Sequence, residues 1–330
     1  MMKLPRRRFL HLVAGAAALP TTSRSAWAQS YPSRPITIIA PFAAGGPTDT
    51  IARIMAERMG RSLGQTIVVE NATGAAGSLG VGRVVRAPPD GYTIGIGHWS
   101  THVVNPAIYP LQYDVLTDLE PISLIASNPQ LIVAKKALPP NDLKELIAWL
   151  KANPDKASEG TAGAGSASHV GGVYFQKATG TSFQFIPYRG TGPAMQDLVA
   201  GQIDIIFDQA ANSLPQVRSG NIKAYAVTAK TRLPSAPDIP TVDEAGLPGF
   251  YIAVWHALWV PKGTPKDIAG KLTAAVIDAL ADPAVRARLA DLGQELPPRD
   301  QQTPEALSAY HKAEIEKWWP IIKAAGIKGG

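Results

Sequence analysis

The sequence predicts an α/β protein of two lobes, hinged like a clam over a shared cleft. Three observations predict it. Strand-like apolar runs alternate with helix-period segments almost throughout, which calls for parallel sheets with helices on both faces. The 330 residues are long for one compact core and suit two. Two extended segments, 124–133 and 250–260, read as crossings between the lobes. The first lobe is expected from residues 29–126 together with 256–330, the second from 127–255.

The elements follow in chain order. The run Ile36-Thr37-Ile38-Ile39-Ala40 reads as a strand, and Ile51, Ile54 and Met55 set the apolar face of a helix over 48–59. A strand at 67–70 precedes a glycine-spaced helix at 78–86. The turn Pro89-Asp90-Gly91 leads into a strand at 92–96. Strands at 122–126 and 131–134 bracket Ser127-Asn128-Pro129. Leu143, Leu146, Ile147 and Leu150 share one face of a helix over 141–151, with Asn141 as its expected cap. In the second half a Gly/Ala/Ser loop (160–166) opens a helix at 171–178. A strand at 183–186, a helix at 193–200 and strands at 203–207 and 224–228 come next. A tryptophan-rich strand at 253–260 precedes three C-terminal helices, 268–281, 283–292 and 304–325.

Composition excludes several function classes. Hydrophobic content of 45% and charged content of 18% are ordinary for a globular chain. The net charge of +6 suggests a nucleic-acid partner, but residues 1–28 hold Lys3, Arg6, Arg7, Arg8 and Arg24 and no acid; with those five set aside the chain is at +1. The other charges are mixed along the sequence, so no nucleic-acid interface is expected. Arg6-Arg7-Arg8, a short apolar stretch over 9–19 and Ala26-Trp27-Ala28 have the form of a secretory signal cleaved near Ala28. That stretch is about 11 residues, short of the roughly 20 a membrane span needs. "RRRFLHL" loosely matches a twin-arginine signal, and the general secretory route stays open. A periplasmic location follows from either. The absence of cysteine excludes disulfides, thiolate catalysis, Cys-ligated zinc and iron–sulfur clusters.

The glycine-rich turns carry the candidate chemistry. In "APFAAGGPTD" (40–49) a strand ends, Gly46 sits at a helix cap and Pro47 suits the first turn. Such a turn aims free N–H groups at an anion, although a ligand-free βα turn reads the same way. Asp49 favours the helix dipole but repels an anion unless it binds a water or an amine. "NATGAAGSLG" (71–80), "GIGHWSTH" (95–102) and "GTAGAGSASHVGG" (160–172) repeat the style and bring Thr101, Ser166 and Ser168 as hydroxyls. No GxGxxG follows the first strand and no Gly-Lys-Ser/Thr occurs, which argues against dinucleotide and phosphate-hydrolase sites. Gly190-Thr191-Gly192-Pro193 repeats the opening turn. Arg189 beside it suits a carboxylate or a surface ion pair, and Asp208 at a strand end suits the cleft mouth or a turn cap. Trp255, Trp259, Trp318 and Trp319 read as packing.

Catalysis is the rival class. Ser166 lies in Gly-Ser-Ala, not in a nucleophile elbow. His98, His102 and His169 are the candidate bases, and the His98/His102 spacing lacks the glutamate of a zinc helix. No carboxylate pair suggests glycosidase chemistry. A secreted hydrolase using Ser166 or Ser168 with His169 is one alternative, and a subunit presenting a ligand to a signalling partner is another. No metal, cofactor or catalytic residue is expected.

"YPSRPITIIAPFAAGGPTDTIAR", "VVENATGAAGSLG", "APPDGYTIGIG", "GTAGAGSASHVGG", "IPYRGTGPAMQDLVAGQIDIIFD", "IKAYAVTAKTRLPSAPDIPTVDEAG" and "WVPKGTP" occur in that order. With them the chain resembles the solute receptors of the tripartite tricarboxylate transporters, the Bug group of periplasmic proteins. The resemblance spans the whole mature chain. It implies a type II periplasmic binding protein fold, two α/β lobes joined by two hinge crossings, and a monomer that closes on a small carboxylate (dicarboxylate, aromatic acid or amino acid) and delivers it to a membrane permease. It implies that one carboxylate is held by Phe42, Ala43, Gly45, Gly46, Thr48 and Asp49 on one side and by Ala164, Ser166, Ser168 and His169 on the other. Thr101 and Asp208 are placed in the same cleft. The far end of the ligand is assigned to His98, Trp99, Tyr188 and Arg189. "GHWSTHVVNP" stands where many relatives carry smaller residues, so Trp99 is expected to fill part of the pocket.

Overall fold

The structure, a computed structural model, describes residues 31–329; the export signal expected at 1–28 lies outside them. Nine strands form one curled sheet in the order β2-β1-β3-β9-β4-β7-β5-β6, with β8 pairing the far half of β4. They are β1 (Ile36–Ala40), β2 (Ile67–Asn71), β3 (Thr93–His98), β4 (Leu119–Lys135), β5 (Ser158–Thr161), β6 (Gln184–Pro187), β7 (Ile205–Gln209), β8 (Ile222–Val227) and β9 (Ala253–Pro261). The helices are α1 (Pro47–Leu63), α2 (Ser78–Val85), α3 (Leu143–Ala152), α4 (Ala167–Thr179), α5 (Thr191–Val199), α6 (Ala210–Arg218), α7 (Lys266–Ala281), α8 (Pro283–Asp291) and α9 (Pro304–Ala325). A π-helical turn (Ser100–Val104) runs into a short helix (Asn105–Ile108) after β3. None of these helices is long and apolar enough to cross a membrane.

The expectation of parallel sheets holds for part of the fold only. β1 is parallel to β2 and β3, and β5 is parallel to β6 and β7. The crossing strands run the other way: β9 is antiparallel to β3 and β4, and β4 is antiparallel to β7 and β8. Ser127-Asn128-Pro129, read as a break between two strands, lies inside one 17-residue strand. Asn128 pairs with Val254 and Pro129 with Ala253, so the ladder continues through the proline. Proline suits an edge or an irregular strand position because it cannot donate; here the neighbouring strand supplies the register. β4 carries apolar residues on both faces because helices cover both. β2, at the sheet edge, alternates half-buried and exposed residues.

Four apolar clusters fill the spaces between sheet and helices. One packs α1 through Ile51, Ile54, Met55 and Met59 against β1 and α7. Each such side chain contributes about 1.5–3 kcal/mol by leaving water. A second gathers Trp99, Trp255, Trp259 and Trp318 between β9 and α9. Two more flank the sheet formed by the second half of β4 with β5 to β8. The helix at 143–152 is capped by Asp142, whose side chain accepts from Glu145 N–H, and not by Asn141 as its position suggested; the cap sits one residue later.

Candidate functional site

The cleft lies where strand ends meet helix starts. From the first half it is lined by Phe42, Gly46, Pro47, Thr48 and His98. Gln130 enters from the crossing strand. Ala162, Ser166, Ala167 and Ser168 line one flank of the second half, and Thr191, Phe207, Asp208 and Gln209 the other. The space between these residues is about 370 Å³, part of it open to solvent.

Four helix N-termini converge there. Gly46 caps α1, Ser166 caps α4, Gly190 caps α5 and Gln209 caps α6. Three of these caps make no side-chain capping bond. The first-turn N–H groups therefore stay unpaired by the helix, and the four dipoles sum to a positive field. Among the described residues, no Lys or Arg side chain lines the cleft.

The two halves touch through main chain. Ala43 N–H donates to Arg189 C=O at 3.0 Å. The Tyr109 hydroxyl donates to Ala164 C=O at 2.6 Å. A Cβ on Gly192 would fall 2.9 Å from Gly46 N, so only glycine permits this approach of α5 to the opening loop.

Each expected residue has a definite place. Phe42, Gly46, Thr48, His98, Ser166, Ser168 and Asp208 line the cleft. The His98 ring stacks on Phe42 (4.8 Å, 9°) and accepts from Ser100 N–H through Nδ1 at 3.0 Å. That bond puts the ring proton on Nε2. Burial pushes the ring down to about 3, so it stays neutral. Thr48 Oγ1 meets His256 Nε2 at 3.2 Å. Ser168 Oγ accepts from Ala162 N–H and meets Ser166 Oγ, both at 3.0 Å.

The others stand behind or beside the lining. Ala43 and Gly45 shape the opening loop. Asp49 is 4% exposed and saturated within that loop: Oδ2 accepts from Gly45 N–H and Arg53 Nε, and Oδ1 from Arg53 Nη2 and Asn71 Nδ2. Burial pushes its carboxyl up, but these hydrogen bonds and the Arg53 charge outweigh burial and hold it below the usual range. Thr101 donates to His98 C=O and accepts from His98 N–H. Trp99, expected to fill the pocket, is fully buried against Trp318 and lines no part of it; the π-helical turn rotates the indole into the core. Arg189 is exposed, and the Tyr188 hydroxyl donates to Asp197 at 2.6 Å. His169 accepts from Gly165 N–H through Nδ1, and its backbone N–H meets Ser166 Oγ. The ring thus points to the loop and not to a serine, unlike a nucleophile–base pair.

Sequence reasoning missed Gln130, Ala162, Thr191, Phe207 and Gln209 as lining residues. Gln130 and Gln209 pair across β4 and β7. Neither residue type signals a site, and their pairing appears only once β4 and β7 are aligned. Phe207 looked like core. Asp208, at the same strand end, is 1% exposed; Oδ2 accepts from Asn212 and Ser213. Burial raises its carboxyl to about 6, against the lowering effect of bonds from Ser213, Thr191, Asn212 and Gln209 N–H.

A curled α/β sheet, with helix starts facing each other across a cleft, defines a periplasmic solute-binding protein of type II fold. Known proteins agree. The model of the tripartite tricarboxylate transporter family receptor matches residues 51–327. The structure of the periplasmic binding protein BugD is 44% identical, covers 90% of this chain and 99% of its own, and superposes with a TM-score of 0.87. MatC from Rhodopseudomonas palustris with bound malate is 41% identical over 88% of this chain and 100% of its own, with a TM-score of 0.85. BugT from Bordetella pertussis is 34% identical over 91% of this chain and 92% of its own. The chain belongs to the tripartite tricarboxylate transporter receptor family, in its Bug group, a family of periplasmic receptors.

Proposed function

We propose that this chain captures a small carboxylate by lobe closure and delivers it to the permease of a tripartite transporter. The lobes are residues 29–126 with 256–330, and 127–255; the hinge lies where β4 and β9 cross. One observation carries the reading: four helix N-termini meet in a cleft that, among the described residues, no cationic side chain lines. N–H groups and dipoles compensate the lost hydration of a carboxylate without a buried full charge. His98 Nε2–H, Thr48, Ser166 and Ser168 add donors. Malate in MatC supports a ligand of this size and charge. The protein works as a monomer, makes and breaks no bond, needs no cofactor or metal, and reaches the periplasm by a signal cleaved near Ala28.

Thermal denaturation of the mature protein against dicarboxylates, aromatic acids and amino acids tests this. An acid present at about 100 times its Kd stabilises by about 2.7 kcal/mol. A folded protein whose melting no acid in the panel shifts refutes the proposal.

A further inference from the structure

Beneath α4, outside the cleft lining, lies a carboxyl group that the capture of an anion does not use. Glu159 of β5 is fully buried. Neither of its oxygens makes a hydrogen bond of ordinary geometry among the described residues. Glutamate is rare in such a place, because an unpaired carboxylate taken out of water neutralises instead. Burial accordingly pushes the Glu159 carboxyl well above the usual range, and the backbone of Phe207 offsets this only in part. The titratable groups on the packed elements are engaged elsewhere. On α4, the His169 ring lies against Phe185 and burial disfavours its charged form, while Lys177 is exposed with Nζ on Ala324 C=O. Asp208 of β7 is bonded by Asn212 and Ser213, and Asp204 just before that strand pairs with Lys135. Asp197 of α5 takes the Tyr188 hydroxyl. The helix above is shaped around the buried acid. A Cβ on Gly172 would collide with Glu159 Oε2, and one on Gly171 would fall 2.6 Å from Gln130 Oε1. α4 thus rests on the sheet with the carboxyl seated in a notch of two glycines. The same helix carries Ser166 at its cap and Ser168 in its first turn, and both line the cleft.

We infer that Glu159 couples ligand capture to pH: as the neutral acid it lets α4 seat on the sheet with its N-terminus in the cleft, and in alkaline solution its ionisation unseats the helix and weakens binding. This rests on the carboxylate reading above, through the donors at the start of α4. An ionised carboxylate needs donors or water. With α4 seated, neither oxygen has a well-aligned donor, so the ionised group is satisfied by water that enters as the helix shifts. Gly171-Gly172 is also where α4 is intrinsically weakest. In the unfolded chain a glutamate loses its proton near about pH 4.3. The folded state holds the proton to higher pH, so the contribution of the neutral carboxyl is complete below about pH 4 and is lost as pH rises through the folded value. A bound ligand, which needs α4 seated, holds that proton more firmly still. Binding therefore takes up a proton in the window where the free protein is losing it.

Two variants isolate the carboxyl: Glu159→Gln, isosteric with the neutral acid, and Glu159→Met, which cannot ionise and carries the comparison should the first fail to fold. Denaturant unfolding of the mature protein between about pH 5 and 9 gives the folding equilibrium constant of each. The wild-type constant is expected to fall against both variants as pH rises, by up to about tenfold per pH unit, the limit for one linked proton. Calorimetric titration at the two ends of that range, with whichever acid gives the largest thermal shift, gives the affinities. From the acid end to the alkaline end the wild-type Kd is expected to rise at least about 5-fold relative to the variants. Ionisation of the acid and of Asp208 is common to all three proteins and cancels. Wild-type titrations in phosphate and in Tris, whose heats of ionisation differ, are expected to show a proton uptake that the variants lack. A stability gap that does not change with pH overturns the inference, because Glu159 then does not titrate. A gap that opens while the Kd ratio stays within about twofold also overturns it, because the helix then keeps its place in the cleft. In both cases the acid still binds and the carboxylate reading survives. A panel of acids that binds at no pH removes that reading and the coupling together.

Discussion

Replacing Gly192 by alanine wedges the two jaws apart at one atom. The new Cβ would lie 2.9 Å from Gly46 N, 3.1 Å from Gly45 C and 3.3 Å from Ala44 O. These are backbone atoms, so no side chain can swing away. Forcing extra bulk into such a contact costs about 1–3 kcal/mol. The adjacent bond from Ala43 N–H to Arg189 C=O, 3.0 Å long, is stretched or lost; a bond of that kind contributes about 0.5–1.5 kcal/mol. Together the closed form loses about 3 kcal/mol, which is roughly a 100-fold rise in Kd. The unliganded protein pays no such penalty if its jaws are apart. Alanine in the first turn of α5 even favours the helix by up to about 1 kcal/mol. The assay is calorimetry with whichever acid gives the largest thermal shift, alongside melting of the free protein. The expected pattern is a large loss of affinity with a melting temperature unchanged or slightly raised. A Kd within threefold of wild type refutes the reasoning that closure brings these two turns into contact.

Two further predictions concern residues near the cleft that do not line it. Asp49→Ala leaves Gly45 N–H and the Asn71 amide unpartnered, at about 2–4 kcal/mol together, and is expected to lower the melting temperature by roughly 4–8 °C. Arg53→Ala should cost under about 1 kcal/mol, since that side chain is 52% exposed and its pair is screened; equal losses in the two variants would show that the carboxylate acts only through the ion pair. Because the folded state holds the Asp49 carboxyl below its unfolded value, its contribution is present above about pH 4 and fades as pH falls through the folded value, so the gap between wild type and Asp49→Ala narrows in acid. Trp99→Leu removes an indole packed edge-on to Trp318 (4.8 Å) and should cost about 2–4 kcal/mol of stability with Kd unchanged. A tenfold change in affinity at unchanged stability would place the ring at the ligand after all.

Periodicity made most elements legible. The helix over 304–325 is read to its ends because Thr303 caps it, Pro304 starts it and Gly326 stops it. The strand across Asn128-Pro129 was not legible, because a local break signal was overridden by pairing with β9, more than a hundred residues away. Antiparallel crossing strands were missed for the same reason: direction in a sheet is a tertiary property, and alternation of elements speaks only for the parallel pairs. At the site, glycine-rich turns announced the helix starts, since their backbone requirement is local. Trp99 was expected at the pocket, and its burial against Trp318 depends on a helix more than two hundred residues away, which local sequence does not show. Gln130 and Gln209 gave no sign of importance by residue type; their burial without partners appears only when β4 and β7 are aligned.

Gln130 also connects the cleft to the crossing. Its backbone N–H meets Ile252 C=O at 3.2 Å and Thr228 Oγ1 at 2.9 Å, at the point where β4 leaves β9 and takes up β7 and β8. The residue lines the cleft, and its side-chain oxygen lies against Gly171 of α4. On the proposed function, a rotation of the lobes about the crossings turns the backbone of Gln130. A receptor that holds its anion by dipoles and uncharged donors has only a modest grip at the carboxylate end. On the proposed function, the hydrogen bonds of the Gln130 backbone at the crossing therefore bear on how long the closed form persists for a permease to meet it.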